Sequence, residues 1–224
     1  MTLKNFYYIL AFIFICNSAY AEDTEEVISV ASYIDSTESS TSPVDVISAE
    51  DYKKLRVSTI IEASQYLSVT AGSHFQTNAL DGVDQGMATI TLRGLDHAST
   101  LVLINKKRQT YAGTPSDEGE GYIDVNIVPE IALDRIEILK DGATSLYGSD
   151  AVAGVINFQT LQEFDGLRIS IGSQKTSNYP QRDNSISALF GGAIFEGNFV
   201  LALSNLNRSP LSAAKIPKFA ELAL

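Results

Sequence analysis

The stretch that most constrains the fold is Leu133–Thr160, which reads LDRIEILKDGATSLYGSDAVAGVINFQT. In its first part, Asp134–Lys140, the residues Ile136 and Ile138 alternate with neighbours on the opposite side, which is typical of a strand with one better-buried face. The centre is too rich in glycine and small residues for an ordinary helix. The sequence therefore predicts a strand that leads into a tight connection shaped by glycines.

The connection and the strand after it can be predicted from the same stretch. Asp141-Gly142 predicts a turn, and Ala143–Leu146 is long enough for one helical turn. Gly148 suits the left-handed position that ends such a turn, and Gly154 opens a second strand over Val155–Phe158. On pattern alone, this order of elements fits any small α/β domain.

The residues themselves are more specific than the pattern. The segment RIEILKDGATSLYGSDAVAGVINF closely resembles the most diagnostic part of the plug domain of TonB-dependent outer-membrane receptors. Upstream, Ile90–Leu95 (ITLRGL) and Leu101–Asn105 (LVLIN) resemble that domain's Arg-Gly strand and the strand after it, in the same order and spacing. The three blocks and their connections span Pro43–Thr160. The resemblance implies an α+β fold, in which a small plug domain with a mixed β-sheet and short helices precedes a few antiparallel strands from the start of a transmembrane β-barrel.

One position departs from the family pattern. An acidic residue or asparagine followed by glycine is usual after the Leu-Val-Leu strand, whereas Lys106 follows Asn105 here. A type I′ hairpin turn requires positive φ at both central residues, which costs a lysine more than a glycine. We therefore expect a less favourable hairpin turn at this point.

The chain divides into five expected segments. Residues 1–21 carry Lys4, an apolar run that ends at Cys16 and the small-residue site Ala19-Tyr20-Ala21, which together are typical of a secretory signal peptide. The apolar run is well short of the ~20 residues of a membrane-spanning helix, and a lipidation site would have a small residue before the cysteine. The other segments are a disordered tail (22–42), the plug domain (43–160), the first strands of an incomplete barrel (161–209) and an irregular C-terminal tail (210–224).

The tail carries a short β-prone segment between acidic and Ser/Thr-rich residues that indicate a flexible linker. This segment consists of Glu26, Val27, Ile28, Ser29 and Val30. A lone β-prone segment can add itself as a strand to the sheet edge of another protein, or it can dock on its own domain. Its position resembles the family's TonB box, which implies a TonB-type energy-coupling protein as the partner.

Local patterns predict further elements in the plug domain, from capping boxes, alternation and polar glycine-containing runs. They are a strand over Val44–Ile47, a helix from Ser48–Asp51 to near Leu55, a helix from Thr59 to about Tyr66, a strand over Ala88–Arg93, and loops over Gly72–Gly86 and Thr110–Gly121.

The resemblance also implies positions of interest. In the family, the arginines of the Arg-Gly and Arg-Ile-Glu motifs pair with glutamates on the barrel wall, which corresponds to Arg93 and Arg135 here. Since an unpaired buried charge is costly and this sequence lacks those barrel strands, we expect both arginines to bind local acids such as Glu137 or Asp96, or water. The plug-motif and plug–barrel positions are Arg93, Gly94, Arg135, Glu137, Gly142, Tyr147, Gly148, Gly154 and Asn157.

Loops on a rigid sheet are common ligand sites. In the family, loops of this kind cap the plug and touch the substrate, which implies His74, Phe75, Gln76 and Tyr111 as candidate ligand contacts. A tyrosine or phenylalanine beside a loop can also simply pack against its base.

Beyond residue 160 the pattern changes to longer alternating segments. Gly166–Gly172, Ser185–Gly191 and Phe195–Ser204 have about the length that crosses an outer membrane at a tilt. This resembles the opening of the receptor barrel. Because receptor barrels of this family close with about twenty-two strands, we expect the chain to be truncated before most of the barrel.

Composition and motifs argue against other classes of protein. The formal charge of −11 repels phosphate backbones, so nucleic-acid binding is not expected. Asp96, His97 and Ser99 have the residue types of a hydrolase, but they lie on one short turn, whereas a catalytic triad comes from separate elements. With two histidines and with Cys16 the sole cysteine, in the leader, we expect no metal site, no cofactor and no enzymatic activity.

Two functional hypotheses follow. The first is the plug, or gate, of a receptor in the outer membrane of a Gram-negative bacterium, which imports a large scarce ligand such as a siderophore–iron complex, cobalamin or a glycan. The second is a soluble periplasmic plug-only protein that binds a ligand or TonB without transport. Residue identity favours the first hypothesis, and chain length favours the second.

Overall fold

The computed structural model describes residues 44–55, 57, 59–64, 66–70, 88–116, 119–177, 181–195 and 197–211. The strands and α-helices in this part of the chain are β1 (Val44–Ser48), α1 (Ala49–Leu55), α2 (Ile60–Ser64), β2 (Thr100–Ile104), β3 (Lys107–Arg108), β4 (Leu133–Leu139), α3 (Thr144–Tyr147), β5 (Gly154–Thr160), β6 (Gly166–Lys175), β7 (Arg182–Ile194) and β8 (Gly197–Arg208). Single 3-10 turns lie at His97–Ser99, Val125–Ile127, Glu130–Ala132 and Ser149–Ala151.

The first sheet is mixed and has the strand order β1-β4-β5-β2-β3. Strands β2 and β5 are parallel, and the other neighbouring pairs are antiparallel. Ile136 and Ile138 lie in the main core with Ile156, Phe158 and the apolar side chains of α1 and α2. The predicted alternation of β4 is therefore confirmed, because these two isoleucines share the face that the helices cover.

The opposite face of this sheet carries a smaller core. Leu101, Leu103, Leu139 and Val155 pack there against Ala143 and Ala151, which come from the connection between β4 and β5. Strands buried on both faces are rich in apolar residues of both parities, as β2 and β5 are here. The sheet therefore has helices α1 and α2 on one side and the α3 connection on the other.

The second sheet is antiparallel, with the order β6-β7-β8 and strands of 10, 13 and 12 residues. One face is exposed and apolar, whereas the other buries Leu189 and Ser187 toward the first domain. The exposed apolar side chains form cross-strand rows, namely Leu167 with Phe190 and Leu201, Ile169 with Leu203, and Ile171 with Ile186. The predicted fold class is confirmed, and each strand is longer than the segment predicted for it.

The predicted strand over 88–93 is wrong. Residues 88–92 are buried, but their backbone groups bind partners outside a sheet ladder. Leu92 N–H donates to the Thr100 hydroxyl over 3.0 Å, and Arg93 N–H donates to the Val69 carbonyl over 2.8 Å. This segment lies between other elements and forms only an isolated bridge at residue 89. Its apolar alternation predicted a strand because both of its faces are buried, and not because it pairs in a sheet.

Helix starts are predicted more accurately than helix and strand ends. The Ser48 hydroxyl accepts the Asp51 N–H over 3.2 Å, which confirms the capping box of α1. Helix α2 ends at Ser64 and not near Tyr66, because the following N–H groups form i→i+3 bonds, with Tyr66 donating to Ala63 over 3.1 Å. Phe195, the expected start of the last strand, lies instead in a turn with a φ of 55°.

Several predictions lie outside the described residues. They concern the signal peptide, the β-prone segment 26–30, the loop 72–86, most of the C-terminal tail, and the ligand candidates His74, Phe75 and Gln76.

Candidate functional site

Glycines allow the backbone of the connection between β4 and β5 to turn sharply and to pack closely against itself. Helix α3 ends at Tyr147 and is capped by Gly148, whose φ of 84° is accessible to glycine at low cost. A Cβ at Gly142 would lie 3.1 Å from the Val152 carbonyl oxygen, and one at Gly154 would lie 2.3 Å from the Leu139 carbonyl oxygen. Backbone therefore packs on backbone at both ends of the connection, and a side chain cannot be accommodated at Gly154 without movement.

A buried carboxylate, that of Glu137, is the centre of a polar network on β4 and β5. Arg135 Nε donates to Glu137 Oε1 over 2.9 Å, and Asn157 Nδ2 donates to Glu137 Oε2 over 3.0 Å. Arg135 also donates to Asp134 over 2.8 Å. A buried acid paired in this way avoids the cost of an isolated charge. The structure thus shows the expected local pairing of Arg135 with Glu137.

The network continues into the turn between β2 and β3. Asn105 and Lys106 both have positive φ, 50° and 65°, as a type I′ turn requires. The Lys106 N–H donates to Asn157 Oδ1 over 3.0 Å, and the Asn105 side chain exchanges hydrogen bonds with Thr160 at 2.8 and 2.9 Å. The hairpin turn is therefore formed, with the lysine in the left-handed conformation that we expected to be unfavourable.

Arg93 binds a different acid from the one expected. Its guanidinium donates to the Lys140 carbonyl oxygen and lies 3.4 Å from Asp141 Oδ1. Arg93 thus pairs with an acid of its own chain, as expected, but that acid is Asp141 and not Asp96. Arg93 and Gly94 have φ values of 59° and 69°, and this left-handed turn brings the arginine to the end of β4.

Arg108 and Asp150 form an ion pair that sequence reasoning missed. Arg108, on β3, donates to the Asp150 carboxylate and to the Tyr147 carbonyl oxygen at the end of α3. The hydrogen bond from Arg108, followed by that from Ser149, lowers the pKa of Asp150. The partners are 42 positions apart, so no local spacing signals the contact.

Tyr111 is 62% exposed at the start of the long loop. Its ring lies over Gly121, where an added Cβ would come within 2.9 Å of it. Tyr111 also borders a cavity of about 220 Å³ that His97, Gln109 and Tyr122 help to line. A cavity of about 150 Å³ is enough to bind a benzene-sized group, so a small ring could enter here.

Helix α2, which packs on the first sheet, contacts the second sheet through charged side chains. Arg208, at the end of β8, donates to Asp183 Oδ2 through Nε and Nη2 at 2.9 and 2.6 Å, and it also binds Glu62 on α2. Cavities of about 200 and 350 Å³ lie along this interface, and Glu130 lines both of them.

Two side chains beside this contact, Glu130 and Tyr52, have raised pKa values. Burial raises the pKa of Glu130, and the charge of Glu62 acts in the same direction. Burial, followed by the negative charges of Glu130 and Glu62, raises the pKa of Tyr52. The interface is thus rich in acid, and Arg208 is placed where it offsets that charge.

The described residues contain no group of three or more His, Cys, Asp or Glu side chains arranged to hold a metal ion. None of the helices in the same residues has the length and apolar character needed to span a bilayer.

Residues 36–155 match the family model described as "TonB-dependent Receptor Plug Domain". The chain belongs to this plug-domain family. Relatives of this plug-domain protein are outer-membrane proteins of Gram-negative bacteria, which assigns it to the same compartment.

Individual relatives agree with the family match. The plug-domain chain is 32% identical over 155 residues to an iron-regulated outer membrane virulence protein of Vibrio cholerae, covering 65% of this chain and 22% of that protein. It is 30% identical over 155 residues to the vitamin B12 transporter BtuB of the same species, covering 68% and 23%. The siderophore receptor PirA from Acinetobacter baumannii is 27% identical, with a TM-score of 0.53, and the match covers 73% of this chain and 24% of PirA. The chain spans less than a quarter of the length of each.

Proposed function

We propose that the plug-domain chain forms the gate of a TonB-dependent outer-membrane receptor that takes up a large scarce ligand such as a siderophore–iron complex. One observation carries the proposal: a plug-family domain is packed against antiparallel strands whose far face is apolar and exposed. Leu167, Phe190 and Leu201 form one row of that face. Strands that are apolar outward and polar inward suit a wall between lipid and a filled lumen.

The proposed mechanism is mechanical and involves no bond chemistry. The β-prone segment 26–30 adds as a strand to a TonB-type energy-coupling protein, where main-chain hydrogen bonds provide the affinity. Force applied to this tail then moves the plug domain. Neither a cofactor nor a resident metal takes part in such a mechanism.

The relatives' names guide the proposal for the ligand. They refer to iron regulation, vitamin B12 and a siderophore, and the last two are large metal-containing or metal-binding molecules. Tyr111, with its exposed ring beside the cavity, and His74, Phe75 and Gln76 are the proposed ligand contacts. A metal chelate is therefore the class of ligand to test first.

Site-specific disulfide trapping tests the partner. Because Cys16 is the only cysteine and lies in the expected leader, Ser29→Cys would be the single thiol of the exported chain. With cysteines along the sheet edge of the TonB C-terminal domain, Ser29→Cys should cross-link in energised cells. Ser36→Cys, in the linker, is the matched control. Equal cross-linking at the two positions would contradict strand addition by 26–30.

Tyrosine fluorescence tests the ligand class, since the chain has 10 tyrosines and no tryptophan. Ferric siderophores and cobalamin are titrated into the full chain, with Tyr111→Leu compared with Tyr66→Leu, because Tyr66 is equally exposed at 64%. Loss of about 1–2 kcal/mol of binding energy is expected for Tyr111→Leu only. No binding by any chelate would contradict the proposed ligand class.

Membrane fractionation separates the proposal from a plug-only periplasmic protein. A receptor gate should co-sediment with outer membranes and stay there after a high-salt wash. Recovery of the chain in the soluble periplasmic fraction would contradict the proposal.

A further inference from the structure

We propose that Arg208, Glu62 and Asp183 form a latch that holds helix α2 of the plug domain against the second sheet. Arg208 is the shared cation: it donates two hydrogen bonds to Asp183 Oδ2 on β7 and one to Glu62 on α2. Glu62 and Arg208 are 146 positions apart, so this contact ties the early part of the plug domain to the last described strand. The Arg93 and Arg135 ion pairs stay within the plug domain, whereas this one joins an acid of the plug domain to a cation on the strand.

Contacts within the second sheet position Arg208 independently of its bond to Glu62. Asp183 and Arg208 face each other directly in the β7–β8 register. The pairing continues one residue further, where Ser209 N–H donates to the Arg182 carbonyl over 2.9 Å and Arg182 N–H donates to the Ser209 hydroxyl over 2.7 Å. A guanidinium held in this way loses little freedom when Glu62 binds, so the contact between the two domains is preorganised.

The latch is shielded enough from water to matter. The side chains of Arg208, Glu62 and Asp183 are 17%, 21% and 11% exposed, whereas the Arg108–Asp150 pair is 50% and 39% exposed. Partly buried ion pairs are screened less than surface pairs, and removing one partner leaves the other charge poorly solvated. The second oxygen of Asp183, Oδ1, is buried and has no hydrogen-bond partner among the described residues, so Asp183 depends on Arg208.

Charged groups of both signs lie around the latch. Glu130, on the turn that faces both α2 and the sheet, adds a third acid near Glu62. Lys53 and Arg168 line the neighbouring cavity with Glu130. Without Arg208, the contact between α2 and the second sheet would bring acids from both sides together.

Helix α2 needs such a contact, because its five residues cannot form a stable helix alone. Its apolar side, Ile60, Ile61 and Ala63, packs on the core of the first sheet, and Glu62 is the side chain on α2 that binds the strands. This inference rests on the proposed gating role in one respect: if the plug domain moves as a gate, α2 must release Arg208 when it leaves the sheet.

Hydrogen exchange measured by mass spectrometry on the full chain in mild detergent tests the latch. Glu62→Gln, Arg208→Gln and the double variant are compared for the peptide that contains residues 60–64. Each single substitution should speed exchange of that peptide about tenfold, and the double variant should exceed the larger single effect by less than about twofold. Glu50→Gln and Arg182→Gln, at exposed positions on α1 and β7, are matched controls and should leave the peptide unchanged.

Two results would overturn the inference. One is that the latch variants change exchange at 60–64 no more than the controls do. The other is that the two single effects multiply in the double variant, which shows that the side chains act independently.

The salt dependence of exchange gives a second measurement, in which the double variant is the reference. Raising NaCl from about 0.05 M to about 1 M should speed exchange at 60–64 in the wild type but not in the double variant. An equal response in both would overturn the latch. Because neither assay uses a ligand or an energy-coupling partner, failure of the latch leaves the gating proposal intact, and a failed cross-linking or ligand-titration assay leaves the latch intact.

Discussion

Gly154 is the position at which a single methyl group should disturb the plug domain most. Its φ is 141°, a conformation that side chains rarely adopt. An added Cβ would lie 2.3 Å from the Leu139 carbonyl oxygen and 2.8 Å from Leu92 Cδ1. The first contact is with backbone on the neighbouring strand β4, so the clash cannot be relieved by rotating a flexible side chain.

The cost of Gly154→Ala has two parts. Strained backbone at a residue other than glycine costs about 1–3 kcal/mol, and overpacking of a well-packed core costs another 1–3 kcal/mol or so. The variant should therefore lose about 2–6 kcal/mol, which is a large share of the roughly 5–15 kcal/mol that stabilises a typical domain.

Two other glycines separate these parts. Gly119 has a φ of 82° but nothing within 4 Å of an added Cβ, and Gly113 has neither a positive φ nor a neighbour within 4 Å. Gly119→Ala should therefore show the backbone strain alone, about 1–3 kcal/mol, and Gly113→Ala should be neutral or slightly stabilising.

Urea denaturation of the full chain in mild detergent, followed by far-ultraviolet circular dichroism, gives the three free energies of unfolding. Gly113→Ala should be the least destabilising variant, Gly119→Ala intermediate and Gly154→Ala the most destabilising. If Gly154→Ala is no more destabilising than Gly119→Ala, the close approach of β4 to β5 does not limit the packing and the reasoning is refuted.

Three further substitutions test the polar contacts by the same denaturation assay. Lys106→Gly should stabilise the chain by about 1 kcal/mol, because glycine adopts the left-handed turn without strain; destabilisation would contradict this. Asn157→Leu should cost at least 1–3 kcal/mol or so, because Glu137 loses a buried donor; a neutral effect would show that water replaces it. Burial raises the pKa of Glu130 above its ordinary value of 4.5, so its ionisation opposes folding. Stability supported by protonated Glu130 should thus fall as the pH rises from 4.5 through the raised folded pKa, and Glu130→Gln should remove this fall. An identical pH profile in the two proteins would contradict this assignment.

The sequence predicted the elements whose patterns are local. The alternation of Ile136 and Ile138 identified β4, and the glycines at 148 and 154 marked the end of α3 and the start of β5. Alternation also located all three strands of the second sheet. Each of these signals depends only on residues that are close in sequence. The same alternation is therefore expected in any fold that buries one face of the strand.

The contacts that failed to be predicted depend on distant residues. Residues 88–92 alternate like a strand, yet both faces are buried, and Leu92 and Arg93 donate to Thr100 and Val69. Arg93 binds the end of β4 and not the nearby Asp96, because its own backbone turns left-handed. The Glu62–Arg208 pair joins helix α2 to the second sheet. In each case the topology chooses the partner, and sequence spacing carries no information about it.

The turn at Lys106 shows how a local rule can be overridden by a network. A non-glycine residue in the left-handed conformation costs about 1–2 kcal/mol. The turn gains four hydrogen bonds to side chains: three between Asn105 and Thr160, and one from the Lys106 N–H to Asn157. At about 0.5–1.5 kcal/mol each, these bonds match or exceed the strain. The same Asn157 also donates to Glu137, so the carboxylate that Arg135 holds in place is linked through one side chain to the turn that lacks the family's usual glycine. The network therefore explains why the hairpin persists with a lysine at this position.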